Sequence, residues 1–168
     1  MLKSKPMKTE LTVIIPTYNR ADMLERCLQH LQGQTMKNFQ VVIVDDGSTD
    51  HTKQVAEKFP DYKYIHQSNQ GQGNARNNGL KYAEGEVVMF IGDDILLEET
   101  ALQEHVLIHK KNPEPRNAVL GLILWHPEVQ QNEFMKWLVN GKAGGTQFAF
   151  DLLEGRDEAD YNFFYTSN

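Results

Sequence analysis

Residues 86–94 read EVVMFIGDD, an apolar run that ends at a glycine and two adjacent acids, Asp93 and Asp94. A run of β-branched and aromatic residues bounded by a glycine predicts a buried strand. Burying unpaired charge is too unfavourable for the two carboxylates to serve as packing residues. We therefore expect them to be solvated, to cap a following helix, or to hold a cation.

Similar apolar runs recur along the chain, and segments of helical periodicity separate them. The other predicted strands are 11–16, 40–45, 63–67 and 118–125, and the predicted helices lie within 21–32, 50–59, 73–83, 98–111 and 133–141. This alternation predicts an α/β fold with a mostly parallel sheet and helices on both faces. Asn19 and Ser48 precede the first two helices, and we expect both to be N-cap residues.

Composition indicates a soluble globular protein that does not bind nucleic acid. The 168 residues are 40% hydrophobic and carry a formal net charge of -6, whereas nucleic-acid binding needs a basic surface. The apolar runs are too short to span a bilayer, and no signal peptide is evident. We expect a cytoplasmic location, or a peripheral one at the inner face of a membrane. Cys27, the single cysteine, is expected to be a buried helical thiol.

Polar segments follow four of the predicted strands. They read PTYNR (16–20), DDGSTD (45–50), NQGQGNARNNG (69–79) and GDD (92–94). Each alone could be a turn or a helix cap. Because the carboxyl ends of parallel strands meet at one edge, together they predict a single ligand crevice. A nicotinamide dehydrogenase is disfavoured, since a dinucleotide site needs a glycine-rich turn after the first strand.

These segments, in this order and spacing, resemble the nucleotide-sugar-binding half of the family 2 glycosyltransferases, which have the GT-A fold. The resemblance rests on VIIPTYNR, VVIVDDGSTD and NQGQGNARNNGLKYAEGEVVMFIGDD, and it covers about residues 10–100. It implies transfer of a sugar from a nucleotide-diphosphate sugar, with UDP as the expected nucleotide, to an acceptor hydroxyl with inversion. The implied partners are that donor and a glycan or lipid-linked acceptor.

The resemblance also implies a role for individual residues of the nucleotide site. The first loop would contact the nucleotide base, Asp46 would hydrogen-bond its uracil-like edge with support from Asp45, and Arg76 would lie near the diphosphate. The residues of the first loop in this role are Pro16, Thr17, Tyr18 and Asn19.

A divalent cation, Mg²⁺ or Mn²⁺, is implied by the same resemblance. The family carries an Asp-x-Asp motif after its fourth strand, and the aligned triplet here is Gly92, Asp93 and Asp94, so the first acid is missing. We expect Asp94 to ligate the cation directly and Asp93 to contact the ribose or a metal-bound water. His105 and His109 could together suggest zinc, but no third ligand lies near them in sequence.

The sequence predicts three regions: a tail (1–9), a nucleotide-sugar-binding domain (10–125) and the incomplete start of an acceptor-side region (126–168). In the family, the catalytic base lies downstream of a strand that resembles FFYTSN, at 163–168 here. No motif marks a base among the nearby acids, which are Asp151, Asp157, Glu158 and Asp160. A non-catalytic nucleotide-sugar-binding module is therefore an alternative. A nucleotidyltransferase is disfavoured, because PTYNR is not a glycine-rich basic loop.

Overall fold

The computed structural model describes residues 9–121 and 123–140. In chain order, its elements are β1 (Leu11–Thr17), α1 (Ala21–Gln32), β2 (Phe39–Asp45), α2 (Thr52–Glu57), β3 (Lys63–His66), α3 (Gln72–Leu80), β4 (Val87–Phe90), α4 (Ala101–Lys111) and α5 (Glu133–Asn140). The chain divides into two units, one ending at Asn117 and the other beginning at Ala118. Among these described elements, no helix has the length and apolar character needed to cross a membrane.

The four strands form one parallel sheet in the order β3-β2-β1-β4. Strand β1 is central and pairs with β2 from Leu11 opposite Phe39 to Thr17 opposite Asp45. On its other side, β1 pairs with β4 from Leu11 to Ile14. Since β2 and β3 lie on one side of β1 and β4 on the other, the order of strands reverses between β1 and β4. Ligands of open α/β sheets bind beyond the carboxyl ends of the strands at such a reversal.

The sheet buries apolar side chains on both of its faces. Val13 and Ile15 of β1 belong to a cluster that includes Leu24 of α1, whereas Ile14 belongs to a second cluster with Ala75 of α3. This division follows the strand geometry, in which successive side chains point to opposite faces. Every residue of β1 is buried, and each buried Ile or Leu stabilises the fold by about 1.5–3 kcal/mol. The predicted α/β fold, with helices on both faces of a parallel sheet, is confirmed.

Helix α1 occupies the range predicted from its sequence. Its buried residues are spaced along one face: Ala21, Leu24, Cys27, Leu28 and Leu31. The Cys27 thiol is buried, as expected, and burial raises its pKa to about 12. The thiol is therefore neutral near pH 7 and is not a nucleophile.

Helix α3 lies very close to the sheet because Gly79 has no side chain. A Cβ at this position would lie 2.6 Å from Cγ2 of Ile14 and 3.1 Å from Cγ2 of Val44. Such distances are shorter than van der Waals contact, so no larger residue fits without displacing the helix. This packing fixes α3 against β1 and β2, with its amino terminus at the edge of the sheet where the strands end.

The fifth predicted strand, 118–125, is wrong. Residues 118–121 and 123–125 form neither helix nor strand, and Leu124 is 66% exposed. Strand propensity expresses how well a side chain packs on a pleated, half-buried surface, and a strand also needs a neighbour for its backbone hydrogen bonds. Among the described residues, no strand pairs with this segment. The short helix predicted at 133–141 is confirmed as α5.

Candidate functional site

The loops that follow the four strands gather at one edge of the sheet and contact one another. The loop after β1 bonds to the loop after β2 through Asn19 and Ser48. It also bonds to the segment after β4 through Arg20 and Asp93. The loop after β2 bonds to the loop after β3 through Asp46. The predicted convergence of these segments is therefore present in the structure.

Asn19 joins the first loop to the second. Its Oδ1 accepts hydrogen bonds from the backbone amides of Thr49, at 2.7 Å, and Asp50, at 3.3 Å. Its own amide donates to Oγ of Ser48, at 2.9 Å. Asn19 has a φ of 52°, a left-handed conformation that asparagine tolerates better than most residues. The side chain of Asn19 therefore connects the two loops through its hydrogen bonds.

Asn19 and Ser48 are not N-cap residues, contrary to the prediction. The N-cap positions of α1 and α2 are Arg20 and His51, and neither forms a side-chain capping bond. Instead, the carboxylate of Asp50 accepts from the amide of Ala21 at 3.1 Å, which satisfies the start of α1 from another loop. For α1, capping by a residue distant in sequence leaves no local signal, which explains the error there. At α2, Asp50 rather than Ser48 accepts from the amide of Thr52, at 3.0 Å.

The carboxylate of Asp45 is buried and bonded on both oxygens. Its Oδ1 accepts from the amide of Ser48 at 2.8 Å, and its Oδ2 accepts from the hydroxyl of Tyr64 at 2.5 Å. Burial, together with this bond to Asp45, raises the pKa of Tyr64 above its usual range, so the hydroxyl stays a donor. Asp45 therefore orders the turn after β2 and connects it to β3.

The carboxylate of Asp46 holds the loop that precedes α3. Its Oδ1 accepts from Nε2 of Gln67, at 2.7 Å, and from the amide of Gln70, at 3.0 Å. Its Oδ2 accepts from the amide of Gly71 at 2.8 Å. Gly71 has a φ of 87°, which few residues other than glycine adopt. A carboxylate offers about four acceptor positions, so these three bonds leave one for a ligand.

Asp93 and Asp94 lie at the reversal between β1 and β4, and their surroundings differ. Asp93 is 3% exposed, and its Oδ2 accepts from the hydroxyl of Thr17 at 2.8 Å. The side chain of Asp94 is 47% exposed. The chain turns at this point, with the amide of Ile95 donating to the carbonyl of Gly92. Because of this turn, two adjacent carboxylates can approach the same group.

That shared group is the guanidinium of Arg20. Its Nη1 lies 2.8 Å from Oδ1 of Asp93 and 3.2 Å from Oδ2 of Asp94. Burial raises the pKa of Asp93, while the Thr17 hydroxyl and Arg20 act to lower it and the charge of Asp94 raises it further. The attraction of Asp93, opposed by burial and supported by Asp94, raises the pKa of Arg20. Arg20 was not among the predicted site residues, although the pair of acids signalled a need for a nearby cation.

The remaining predicted residues lie around this centre in different environments. Pro16 is buried within β1, whereas the Tyr18 side chain at the start of the first loop is 47% exposed and free to stack on a ligand. Arg76, on the first turns of α3, has a buried Nε with no hydrogen-bond partner in the described part of the chain. An unpaired buried donor is unfavourable, and an anionic ligand near α3 would satisfy this guanidinium.

The donor set at Asp94 suits a hard divalent cation that also takes ligands from a nucleotide. No three His, Cys, Asp or Glu side chains of the described residues converge on a metal position, and this includes His105 and His109. Mg²⁺ commonly binds through one or two carboxylates together with substrate phosphates and water. Oδ1 of Asp94 lies 2.7 Å from the point that a Cβ on Gly92 would occupy, so the glycine leaves space beside the carboxylate.

A separate cavity of about 550 Å³ lies at the opposite edge of the sheet. It is lined by residues at the amino ends of β1, β2 and β4 and on α4: Thr9, Glu10, Asn38, Glu86, Val87, Val106, His109 and Lys110. The carboxylate of Glu10 pairs with Lys110 at 2.8 Å. None of the predicted site residues reaches this cavity, so the edge at the carboxyl ends of the strands is the candidate site.

An open parallel α/β sheet with acidic and basic side chains at its strand reversal belongs to the class of proteins that bind a ligand at that position. Comparison with known proteins specifies the family. The family model described as "Glycosyl transferase family 2" matches residues 12–160. The chain therefore belongs to glycosyl transferase family 2, and its sheet is that of the GT-A fold.

Individual relatives agree with this assignment. The chain is 30% identical over 151 residues to the uncharacterized glycosyltransferase RC0461 of Rickettsia conorii, covering 88% of this chain and 24% of that protein. It is similar to S. aureus TarS 1-349 solved with UDP-GlcNAc, at 30% identity and a TM-score of 0.59, over 66% of this chain and 37% of that one.

A second solved structure that it resembles is the mannosyltransferase PcManGT from Pyrobaculum calidifontis, in complex with GDP-Man and Mn²⁺. The identity is 30% and the TM-score 0.52, over 63% of this chain and 33% of that chain. The chain thus spans between about a quarter and two fifths of the length of these relatives.

Proposed function

We propose that this chain binds a nucleotide-diphosphate sugar, with UDP as the nucleotide, and belongs to an enzyme that transfers the sugar to an acceptor hydroxyl. The observation that carries the proposal is the grouping of Asp93, Asp94 and Arg20 at the strand reversal, beside an exposed Tyr18. Support for UDP comes from TarS 1-349, which was solved with UDP and with UDP-GlcNAc. Both are structures of relatives that share this fold.

In this proposal, the first two loops bind the nucleoside. The ring of Tyr18 stacks on the base, and Pro16 and Thr17 place the backbone of β1 beside it. The free acceptor position of Asp46 receives an N–H from the edge of the base, and Asp45 supports the turn. Asn19 contributes by fixing the first loop against the second, since its side chain is engaged with Thr49 and Asp50.

The diphosphate lies between α3 and the segment after β4. Arg76 supplies positive charge that the chain as a whole, with its net charge of -6, does not. Asp94 is the direct ligand of a divalent cation, and Asp93, being buried and bonded on both oxygens, contacts the ribose or a metal-bound water. Such a cation neutralises negative charge that develops on the leaving diphosphate. PcManGT, solved with Mn²⁺, supports a cation in this fold.

Transfer by a single displacement inverts the sugar carbon and needs a general base to deprotonate the acceptor hydroxyl. We assign no base. The acids considered from the sequence, which are Asp151, Asp157, Glu158 and Asp160, lie outside the described residues. The division into a donor domain (10–125) and an acceptor-side region (126–168), the glycan or lipid-linked acceptor and the cytoplasmic location stay predictions.

The nucleotide site is tested with two matched tyrosines. Tyr18→Ala should weaken UDP binding in isothermal calorimetry by about tenfold, because a base stacked on an aromatic ring contributes about 1–3 kcal/mol. Tyr82→Ala is the control: Tyr82 is also exposed, at 36%, but it lies beyond α3 with Lys63 over its ring. Equal UDP affinity of both variants and the unchanged chain would refute the nucleoside assignment.

Turnover distinguishes an enzyme from a binding module. Release of UDP from UDP-GlcNAc, followed with Mn²⁺ present and with candidate hydroxyl acceptors, should occur if the chain carries a complete reaction centre. Binding of UDP without any release of UDP from the sugar donor would instead identify a nucleotide-sugar-binding module.

A further inference from the structure

The position of Arg20 between two carboxylates has a consequence for cation binding. A single nitrogen, Nη1, donates to Asp93 at 2.8 Å and to Asp94 at 3.2 Å. We propose that Arg20 competes with the divalent cation for Asp94, so that the cation binds tightly only after a nucleotide diphosphate has drawn the guanidinium away. This inference rests on the proposed function, because it requires the cation and the diphosphate to meet at this site.

The two contacts of Arg20 are unequal. Asp93 is almost completely buried, and its second oxygen is held by Thr17, so this partner is fixed. Asp94 is exposed, and its contact with Nη1 is longer by 0.4 Å, the difference between 3.2 and 2.8 Å. A guanidinium can therefore release Asp94 by a small rotation while Asp93 continues to hold it.

Local charge decides the competition. Asp93, Asp94 and Arg20 together carry one net negative charge, and without Arg20 the two carboxylates would carry two. The electrostatic attraction between a divalent cation and the site scales with the net charge of the site. Arg20 therefore weakens cation binding to the protein without nucleotide. A bound diphosphate adds negative charge on the open side of the site and reverses this effect.

The guanidinium also has donors available for a diphosphate. Arginine has five N–H donors in a planar fork. In the described part of the chain, both side-chain hydrogen bonds of Arg20 come from Nη1. The side chain of Arg20 is half exposed, at 49%. Phosphate oxygens can thus bond to Nε and Nη2 without breaking the bond to Asp93.

The test measures Mn²⁺ binding by electron paramagnetic resonance, with and without UDP. Without UDP, Arg20→Gln should bind Mn²⁺ about five- to tenfold more tightly than the unchanged chain. Arg20→Lys should give a smaller gain, because lysine keeps the charge but not the planar fork. Lys81→Gln, which removes an exposed charge at the carboxyl end of α3, is the matched control and should give no gain.

Nucleotide provides a second readout. UDP should strengthen Mn²⁺ binding to the unchanged chain by a larger factor than it does for Arg20→Gln, and Mn²⁺ should strengthen UDP binding by the same factors. An Arg20 that only stabilises the loop would leave Mn²⁺ affinity unchanged or reduce it. Circular dichroism tests whether each variant is folded. If Arg20→Gln is unfolded, the comparison is made with Arg20→Lys.

The outcomes separate this inference from the proposed function. Tighter Mn²⁺ binding by the folded Arg20 variants supports the competition. Mn²⁺ binding to the unchanged chain with UDP, but no gain in any Arg20 variant, overturns the competition and leaves the proposed cation site intact. Absence of Mn²⁺ binding to every form, even with UDP, overturns the cation site and the competition together.

Discussion

Two pairs of adjacent aspartates lie at the carboxyl ends of β2 and β4, the strands on either side of β1, and they are held by different kinds of partner. The pair at the end of β2, Asp45 and Asp46, is buried, and within the described residues it accepts hydrogen bonds from neutral groups alone: Ser48, Tyr64, Gln67, Gln70 and Gly71. The pair after β4, Asp93 and Asp94, shares one guanidinium, and only one of its members is buried. The same dipeptide thus orders neighbouring loops at one strand end and leaves an exposed carboxylate, Asp94, at the other.

The largest effect is expected from a substitution in the buried pair, Asp45 and Asp46. Asp46→Ala leaves three donors of the loop before α3 without their acceptor, so the free energy of unfolding should fall by about 3 kcal/mol. The matched change Asp94→Ala removes an exposed ion pair and should lower it by less than about 1 kcal/mol. Urea denaturation of both variants measures the difference. Similar losses of unfolding free energy in the two variants would show that Asp46 contributes no more to stability than Asp94 does.

A smaller effect is expected from removing one neutral donor. Tyr64→Phe deletes the hydroxyl that bonds to buried Asp45, and it should lower the free energy of unfolding by about 2 kcal/mol. Tyr62→Phe is the control, because the Tyr62 ring stacks on Phe59 and no hydrogen bond of its hydroxyl is found among the described residues. We expect a change of less than about 0.5 kcal/mol there. Equal losses would contradict the assigned role of the Tyr64 hydroxyl.

The smallest expected effect appears in the pH dependence of stability. Burial raises the pKa of Asp93 above the value of 3.8 expected for the unfolded chain. Between these two pKa values, the folded state binds more protons, so the contribution of Asp93 to stability falls as pH rises through that window. Asp93→Asn should therefore gain stability relative to the unchanged chain as pH increases from 4. Urea denaturation of both proteins from pH 4 to 7 measures this difference in the free energy of unfolding. A difference that stays constant or changes in the opposite direction contradicts the raised pKa of Asp93.

The sequence predicts the fold wherever the pattern itself contains the reason for the structure. The spacing of Leu24, Leu28 and Leu31 is sufficient for α1, and the apolar run of β1 is sufficient for a central strand. The strand predicted at 118–125 fails because a strand depends on a neighbour, and an apolar run does not reveal whether one is available.

Site geometry depends on contacts between distant residues, and these were predicted less completely. The convergence of four loops follows from parallel strands, so the sequence was enough to locate the edge. The partner of each side chain was not evident, since Arg20 is 73 residues from Asp93 and Asp50 is 29 residues from the helix start that it caps. An arginine at the end of PTYNR looks like a solvated residue until the fold places it beside two acids.

The most direct test of the account is UDP binding by calorimetry, with Mn²⁺ and with a chelator. We expect UDP to bind at least about tenfold more weakly under chelation, and Asp94→Asn to show that weaker affinity even with Mn²⁺. Asp61→Asn, an exposed aspartate just before β3, should behave as the unchanged chain does. Tight UDP binding that responds neither to chelation nor to Asp94→Asn would contradict a cation held by Asp94 at the strand reversal.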